Sequence, residues 1–422
     1  MHYFSYQKKE LYCEEVPLSF LAKKFGTPLY VYSKKTILEH FYKIKKAFSE
    51  IHPLICYSLK ANSNLSILKL LVKEGGGLDI VSGGELFRAR VINCPPKKIV
   101  YASVGKKEEE IKEAIDYRIL LFNVESEREL IRINLIAQEK KKKVDVALRI
   151  NPDIKTFTHK YITTAEKETK FGIDIKTAKK IFSLRSNFPY INISGLHIHI
   201  GSQITKSTPF IKAIKKTLPL IEEAKKAKIN LRYFNIGGGL GIVYNRERPQ
   251  TAEEFAKKVL PLLKETGLKI ILEPGRFIVG NAGVLLTQVL YIKDTPFKRF
   301  IIVDAAMNDL IRPALYGGYH KIVPVRKLQI ANYRLQIKKK ADVVGSICET
   351  SDFLGKDRKL NVEEKDYLAI LGCGAYGFSM SSNYNSRPRA GEVLVDKDKV
   401  FLIRERETYN DLIRKEKINE VL

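Results

Sequence analysis

The chain has 422 residues, 45% of them hydrophobic, which is enough to bury a large core in one large domain and a smaller one. No apolar run nears the ~20 residues of a membrane span, and the start Met1-His2-Tyr3-Phe4-Ser5-Tyr6 lacks the apolar core of a signal peptide, so a cytoplasmic protein with no membrane partner is expected. The formal charge is +27, but lysines interleave with glutamates, as from Lys106 to Glu110, and no nucleic-acid-binding pattern accompanies them. The charge therefore reads as a solvated, heat-adapted surface, not as a nucleic-acid interface.

In chain order, Leu29–Tyr32 is a short apolar run that would add a strand to a later sheet. Eight strand-like runs follow: Leu54–Leu59, Leu78–Ser82, Ile99–Val104, Ile119–Val124, Val144–Ile150, Ile193–Ile200, Tyr233–Ile236 and Lys269–Leu272. Amphipathic stretches separate them, at Asn64–Glu74, Gly84–Asn93, Lys106–Tyr117, Glu125–Glu139, Thr177–Arg185, Thr208–Lys228 and Ala252–Thr266. This alternation predicts an α/β fold, a (β/α)8 TIM barrel. A doubly wound sheet would carry its glycine-rich loop after the first strand, whereas here it follows the seventh. After residue 280 the texture becomes strand runs joined by Gly, Asn and Pro turns: Val284–Ile292, Arg299–Val303, Asp342–Ile347, Tyr367–Leu371 and Val400–Arg404. These predict a C-terminal β-rich domain, sandwich- or barrel-like. The expected boundaries are 1–32 for a segment joining the β domain, 33–278 for the barrel and 279–422 for the β domain. The lysine clusters Lys140 to Lys143 and Lys338 to Lys340 fall where loops or solvated helix ends are expected.

Barrel chemistry sits at strand C-termini, and several strand ends here carry reactive side chains. Lys60 ends the first strand. A lysine facing a closed pocket can lose its charge and act as an amine nucleophile, whereas a solvated lysine is the plain alternative. Gly237, Gly238 and Gly239 follow strand seven, where backbone N–H groups can cradle a phosphate. Glu273-Pro274-Gly275-Arg276 ends strand eight. Its carboxylate can hold a protonated ring nitrogen, and Arg276 suits a phosphate or carboxylate. His197 and His199 share a face at the end of strand six, with His199 placed to lie over a planar ring and Ser202 to add a hydroxyl to a phosphate. Arg149 and Asp79, at or near the ends of strands five and two, are pocket-facing or are members of buried ion pairs. A metal needs a further His, Asp or Glu at matched spacing, and none is evident. The cysteines Cys13, Cys56, Cys94, Cys348 and Cys373 are odd in number and widely spaced, so neither a disulfide framework nor a zinc site is indicated. A nucleophilic lysine, a phosphate cradle, a ring-nitrogen carboxylate and a stacking histidine together meet the needs of pyridoxal 5'-phosphate.

Tyr57-Ser58-Leu59-Lys60-Ala61-Asn62, the run His197 to Gln203 and Glu273-Pro274-Gly275-Arg276 resemble the fold-type III pyridoxal-phosphate decarboxylases. The C-terminal half is similar to the diaminopimelate decarboxylases among them. That likeness rests on Met307 to Tyr316, Cys348-Glu349-Thr350-Ser351-Asp352 and Gly374-Ala375-Tyr376-Gly377. The resemblance implies Lys60 as the Schiff-base lysine, Glu273 as the partner of the pyridine nitrogen and His199 as the stacking ring. Ser202, the three glycines, Arg276 and Tyr376 would surround the phosphate and the nearby substrate. Arg276, Arg312, Tyr316 and Glu349 would hold the far amino-acid end of meso-diaminopimelate. Cys348 would donate a proton to the product carbon. The family's homodimer would place Cys348 and Glu349 in the neighbouring subunit's site, and the reaction would yield L-lysine and CO2.

Overall fold

A computed structural model describes residues 2–154, 169–326 and 340–419; Lys338 and Lys339 of the second lysine cluster lie outside them. The chain divides into two compact units. One is His40–Ile242 with Glu247–Phe277. The other is Met1–Glu39, Val243–Arg246 and Ile278–Leu422.

The first unit is a closed barrel of eight parallel strands in chain order. They are Leu54–Ser58, Gly77–Ile80, Ile99–Tyr101, Leu121–Val124, Val144–Arg149, Ile191–His197, Tyr233–Asn235 and Lys269–Leu272. The eighth pairs with the first, Leu272 opposite Ile55, and closes the ring. Cys56, Val100, Leu121, Ala147 and Ile271, from five different strands, form one buried apolar cluster. Burial of a large apolar side chain of this kind contributes about 1.5–3 kcal/mol. The helices start where their caps dictate. Asn64, Ser82 and Ser126 each accept a first-turn backbone N–H, and Thr251 forms a reciprocal capping box with Glu254.

Two departures from the sequence pattern matter for the site. The sixth strand ends at His197, so His199 and Ser202 sit in the loop beyond it instead of on the strand. The eighth strand is followed by a helix of only four residues, Arg276–Val279. The helix Lys34–Ala47, unmarked in the sequence pattern, precedes the first strand. Ile44 in its last turns lines a small cavity with Phe48, Phe210 and Phe255 on the barrel's outer layer.

The second unit is built on a mixed sheet. Leu29–Ser33 lies between the antiparallel strand Gly283–Asp294 and the parallel strand Gly391–Asp396. The strands Arg299–Val303, Ala341–Val344, Tyr367–Leu371 and Lys399–Arg404 occupy four of the expected runs. Ile322–Pro324, Phe353–Arg358 and Gly391–Asp396 are further strands with no expected counterpart. Phe4–Gln7, Glu10–Cys13 and Val16–Pro17 form a separate three-stranded antiparallel meander. The Lys140 to Lys143 cluster follows a helix end, where Lys140 and Lys142 both pair with Asp116, at 2.6 and 3.0 Å. No helix among the described residues is long and apolar enough to cross a membrane.

Candidate active site

The C-terminal ends of the barrel strands form a buried polar layer. Ser58, Asp79, Asn123, Arg149, His197, Asn235 and Glu273 are all buried there. Burying that much polarity is costly unless each group finds a partner, and the partners define the site.

Lys60 occupies a single 3₁₀ turn, Leu59–Ala61, directly after the first strand. Parallel register sets Ser58 opposite Asp79. Asp79 Oδ2 accepts a 2.5 Å hydrogen bond from Ser58 Oγ and lies 3.3 Å from Lys60 Nζ. Burial, then the charge of Glu273, pushes the Asp79 carboxyl up to about 6, with Lys60 opposing the rise. Gly275 packs against this turn: a Cβ there would lie 3.0 Å from Ser58 Cβ and 3.1 Å from Ala61 Cβ. The Ser58 N–H donates to Pro274 O at 3.2 Å, tying the Lys60 strand to the Glu-Pro-Gly-Arg turn.

Glu273 is the hub. Its Oε1 accepts from Asn123 Nδ2 at 3.1 Å and from Asn235 Nδ2 at 2.6 Å. Its Oε2 faces His197 Nε2 at 3.2 Å, a close ion-pair distance that is off hydrogen-bond alignment, and His199 Nδ1 at 3.8 Å. Burial raises this carboxyl, but the surrounding imidazoles outweigh burial and hold it well below the usual carboxylate range. Burial also drives the His199 ring down to about 4. His199 is therefore neutral at pH 7, and Glu273 is ionised there. Gly238 N–H donates to His199 Nδ1 at 3.3 Å, which puts the proton of neutral His199 on Nε2.

Around this hub stand the anion-binding groups. Gly237 and Gly239 adopt φ of 69° and 105°, which residues with a side chain rarely adopt. Ser202 Oγ accepts from Arg276 Nε at 3.3 Å and Nη2 at 3.1 Å. Arg149 pairs with buried Glu125 at 2.5 Å, donates to His199 O at 3.5 Å and lies 4.8 Å over the Phe171 ring. Thus Lys60, Asp79, Arg149, His199, Ser202, Gly237 to Gly239, Glu273, Pro274, Gly275 and Arg276 all lie in the barrel unit, at its strand C-termini.

Arg312, Tyr316, Cys348, Glu349 and Tyr376 lie in the second unit. Arg312 is buried, 2.8 Å from His320 Nε2 and 4.6 Å over the Tyr244 ring. Cys348 is an exposed free thiol whose backbone N–H donates to Asn385 Oδ1 at 3.3 Å. Glu349 is exposed and accepts from the Tyr384 hydroxyl at 2.5 Å. Tyr376 has a φ of 56°, and Tyr316 ends the short helix that Arg312 begins.

Motif reading passes over Asn123, Asn235, Glu125 and His320. The one trace of the first three in the sequence is a polar residue inside or just after an apolar run, and His320 follows a Gly-Gly-Tyr turn. It also finds no third ligand beside His197 and His199, yet the fold brings Glu273 to them, with ligand atoms within 4.8 Å of one another. The Gly238 N–H already occupies the His199 Nδ1 lone pair that a metal beside Glu273 Oε2 would need. A phosphorylated pyridine aldehyde suits the same groups better. Asp79 Oδ1 is buried with no hydrogen-bond partner. An amine, an ionised carboxylate, a neutral imidazole and an arginine–serine pair lie at the same strand C-termini.

The comparisons with known proteins agree. Residues 34–280 match the family described as pyridoxal-dependent decarboxylase, pyridoxal binding domain. The chain is 48% identical to a diaminopimelate decarboxylase of Vibrio cholerae, covering 98% of both chains. It is 49% identical to one of Aquifex aeolicus, covering 97% of this chain and 96% of that one. A crystal structure of diaminopimelate decarboxylase from M. jannaschii in co-complex with L-lysine superposes with a TM-score of 0.92 at 40% identity, covering 99% of this chain and 98% of that one. This chain belongs to the diaminopimelate decarboxylase family of pyridoxal-dependent decarboxylases.

Proposed function

We propose that this protein decarboxylates meso-diaminopimelate to L-lysine and CO2, with pyridoxal phosphate held in the barrel and substrate selected by the β unit. The observation that carries the reading is the convergence of Lys60 and His199 on the buried carboxylates Asp79 and Glu273 at the strand C-termini. When bound, pyridoxal phosphate supplies an aldehyde for an amine and a ring that takes up the electrons left as CO2 departs.

The chain's own residues do the rest. Lys60 Nζ is the amine that anchors the cofactor, and Asp79 Oδ2 stands beside it to take or return a proton. Glu273 is held ionised and accepts from the ring nitrogen, which keeps that nitrogen protonated. His199, uncharged at pH 7, offers a flat face without adding charge. The glycine loop, Ser202 and Arg276 would receive the phosphate, and Tyr376 is assigned to the same group. Arg149 is braced by Glu125 under the His199 loop. At the far end, Arg276, Arg312 and Tyr316 bind the second carboxylate, and Glu349 binds the second ammonium. Those arginines separate this substrate from ornithine or lysine, which lack that carboxylate. Cys348 Sγ delivers a proton to the carbon that CO2 leaves. The enzyme works as a cytoplasmic homodimer, with Cys348 and Glu349 supplied across the interface.

The test is lysine formation from purified protein, pyridoxal phosphate and meso-diaminopimelate, with ornithine and arginine as competing substrates. No lysine from fully cofactor-loaded protein would refute the reading.

A further inference from the structure

We infer that Asn123 and Asn235 are positioning residues for Glu273: their amides saturate Oε1 and so commit Oε2 to the ring nitrogen of the cofactor. This rests on the role given to Glu273 above.

The carboxylate is buried, and its two oxygens have unlike surroundings. Oε1 receives two N–H donors, at 3.1 and 2.6 Å. That matches the two lone pairs of one carboxylate oxygen. Oε2 is left facing the side on which His197 and His199 stand. The orientation of Asn235 is fixed by its neighbour, and that of Asn123, whose Oδ1 is buried without a hydrogen-bond partner, by the carboxylate itself. Asn235 Oδ1 accepts the Gly237 N–H at 2.9 Å, so its Nδ2 must turn toward Glu273. Turning Asn123 over would set its carbonyl oxygen against the carboxylate.

Asn235 does a second thing. Its side chain joins the first N–H of the glycine loop to the carboxylate, while Glu273 N–H donates to Gly237 O at 2.8 Å. The phosphate end and the ring-nitrogen end of the site are thus set by one side chain. Asn123 is pinned from behind. Its backbone carbonyl accepts from Lys106 Nζ at 2.9 Å, and that fully buried ammonium also donates to Ser103 O at 2.9 Å and Glu129 Oε1 at 2.5 Å. Amides are the side chains this place requires. Aspartate would set a like charge against Glu273, and leucine would take one of the two donors from Oε1 in a buried site.

The test compares apoprotein binding of pyridoxal phosphate with binding of its analogue carrying CH in place of the ring nitrogen. The variants are Asn123→Leu, Asn235→Asp and Glu273→Gln, each checked for folding by thermal unfolding. Wild type prefers the nitrogen-bearing cofactor. Each asparagine variant narrows that preference by roughly tenfold, the scale of one lost hydrogen bond to a charged group. A merely structural lesion weakens both ligands equally and leaves the ratio alone. A wild-type ratio in the asparagine variants beside a lost ratio in Glu273→Gln overturns the inference. A wild-type ratio in all three overturns the role of Glu273, and the inference with it. If Asn235→Asp does not fold, the ratio in Asn123→Leu decides.

Discussion

Arg312 Nη1 lies 2.8 Å from His320 Nε2, and His320 Nδ1 lies 2.9 Å from the Leu371 carbonyl. Arginine has only donors and a carbonyl only accepts, so His320 is neutral with its proton on Nδ1. Cys373 Sγ, 3.6 Å from Nδ1, and the Tyr244 ring, edge-on at 5.3 Å, complete its wall. The imidazole thereby links the guanidinium to the strand Tyr367–Leu371.

That link predicts a split in kinetics. His320→Leu should raise KM for diaminopimelate by roughly tenfold while leaving kcat and cofactor affinity near wild type, because it loosens a binding group only. His320→Gln, which restores an acceptor, should recover part of the loss. Steady-state kinetics on both variants checks this; an unchanged KM in His320→Leu would remove His320 from substrate selection.

Lys60→Ala should leave a folded barrel that no longer captures the cofactor covalently. Borohydride treatment followed by intact-protein mass measurement reads this directly, with the wild type gaining the reduced cofactor and the variant not. Turnover should be lost together with the adduct. A variant that keeps both would mean the anchoring amine is another lysine.

The histidine over the site makes apoprotein stability depend on pH with a definite sign. His199 falls from an ordinary 6.5 to about 4 in the folded chain. Between those values the unfolded state binds more protons than the folded one, so stability is lost as pH falls through that window. The full contribution is about 3 kcal/mol, at 1.36 kcal/mol per pH unit. Asp79, raised from 3.8 to about 6, has the opposite sign: its stability is present at low pH and lost as pH rises toward 6. The two partly cancel in the wild type. Urea unfolding of His199→Phe against wild type at pH 4 and pH 7 isolates the histidine, and a stability difference that does not change with pH would contradict its neutral state.

Gly275→Ala adds a methyl 3.0 Å from Ser58 Cβ and 3.1 Å from Ala61 Cβ, on either side of Lys60. Both neighbours are backbone-fixed, so the lysine turn must shift. The expected cost is about 1–3 kcal/mol of stability, as for other overpacked sites, with weaker cofactor binding. Thermal unfolding and cofactor titration would show it.

How far the site could be read in advance follows from where its partners lie. Lys60, His199 and Glu273 announce themselves, because a reactive side chain closing an apolar run has few other uses. Asn123 does not: the carboxylate it serves lies 150 residues away. Glu125 is equally silent, since its partner Arg149 is fixed only once two neighbouring strands pair. The alternation of runs yields the barrel, because each strand is buried and each helix has one apolar face. It does not reveal the helix Lys34–Ala47, whose apolar residues Ile37, Phe41 and Ile44 precede the strands they help to cover. In the second unit, Phe353–Arg358 and Ile322–Pro324 lack the long apolar alternation that marks a strand, and pairing alone makes them strands.

The contact between the first and eighth strands governs when this enzyme becomes an enzyme. Ser58 Oγ lies 3.1 Å from the carbonyl oxygen of a residue 215 positions later, Glu273. Lysine and carboxylate are thus made at opposite ends of the barrel's synthesis and meet only at ring closure, a contact with a large loop-closure cost. A nascent chain that has not yet released strand eight has its nucleophile but no ring-nitrogen partner. Cofactor capture therefore reports barrel closure, and nascent chains halted before residue 269 should remain colourless.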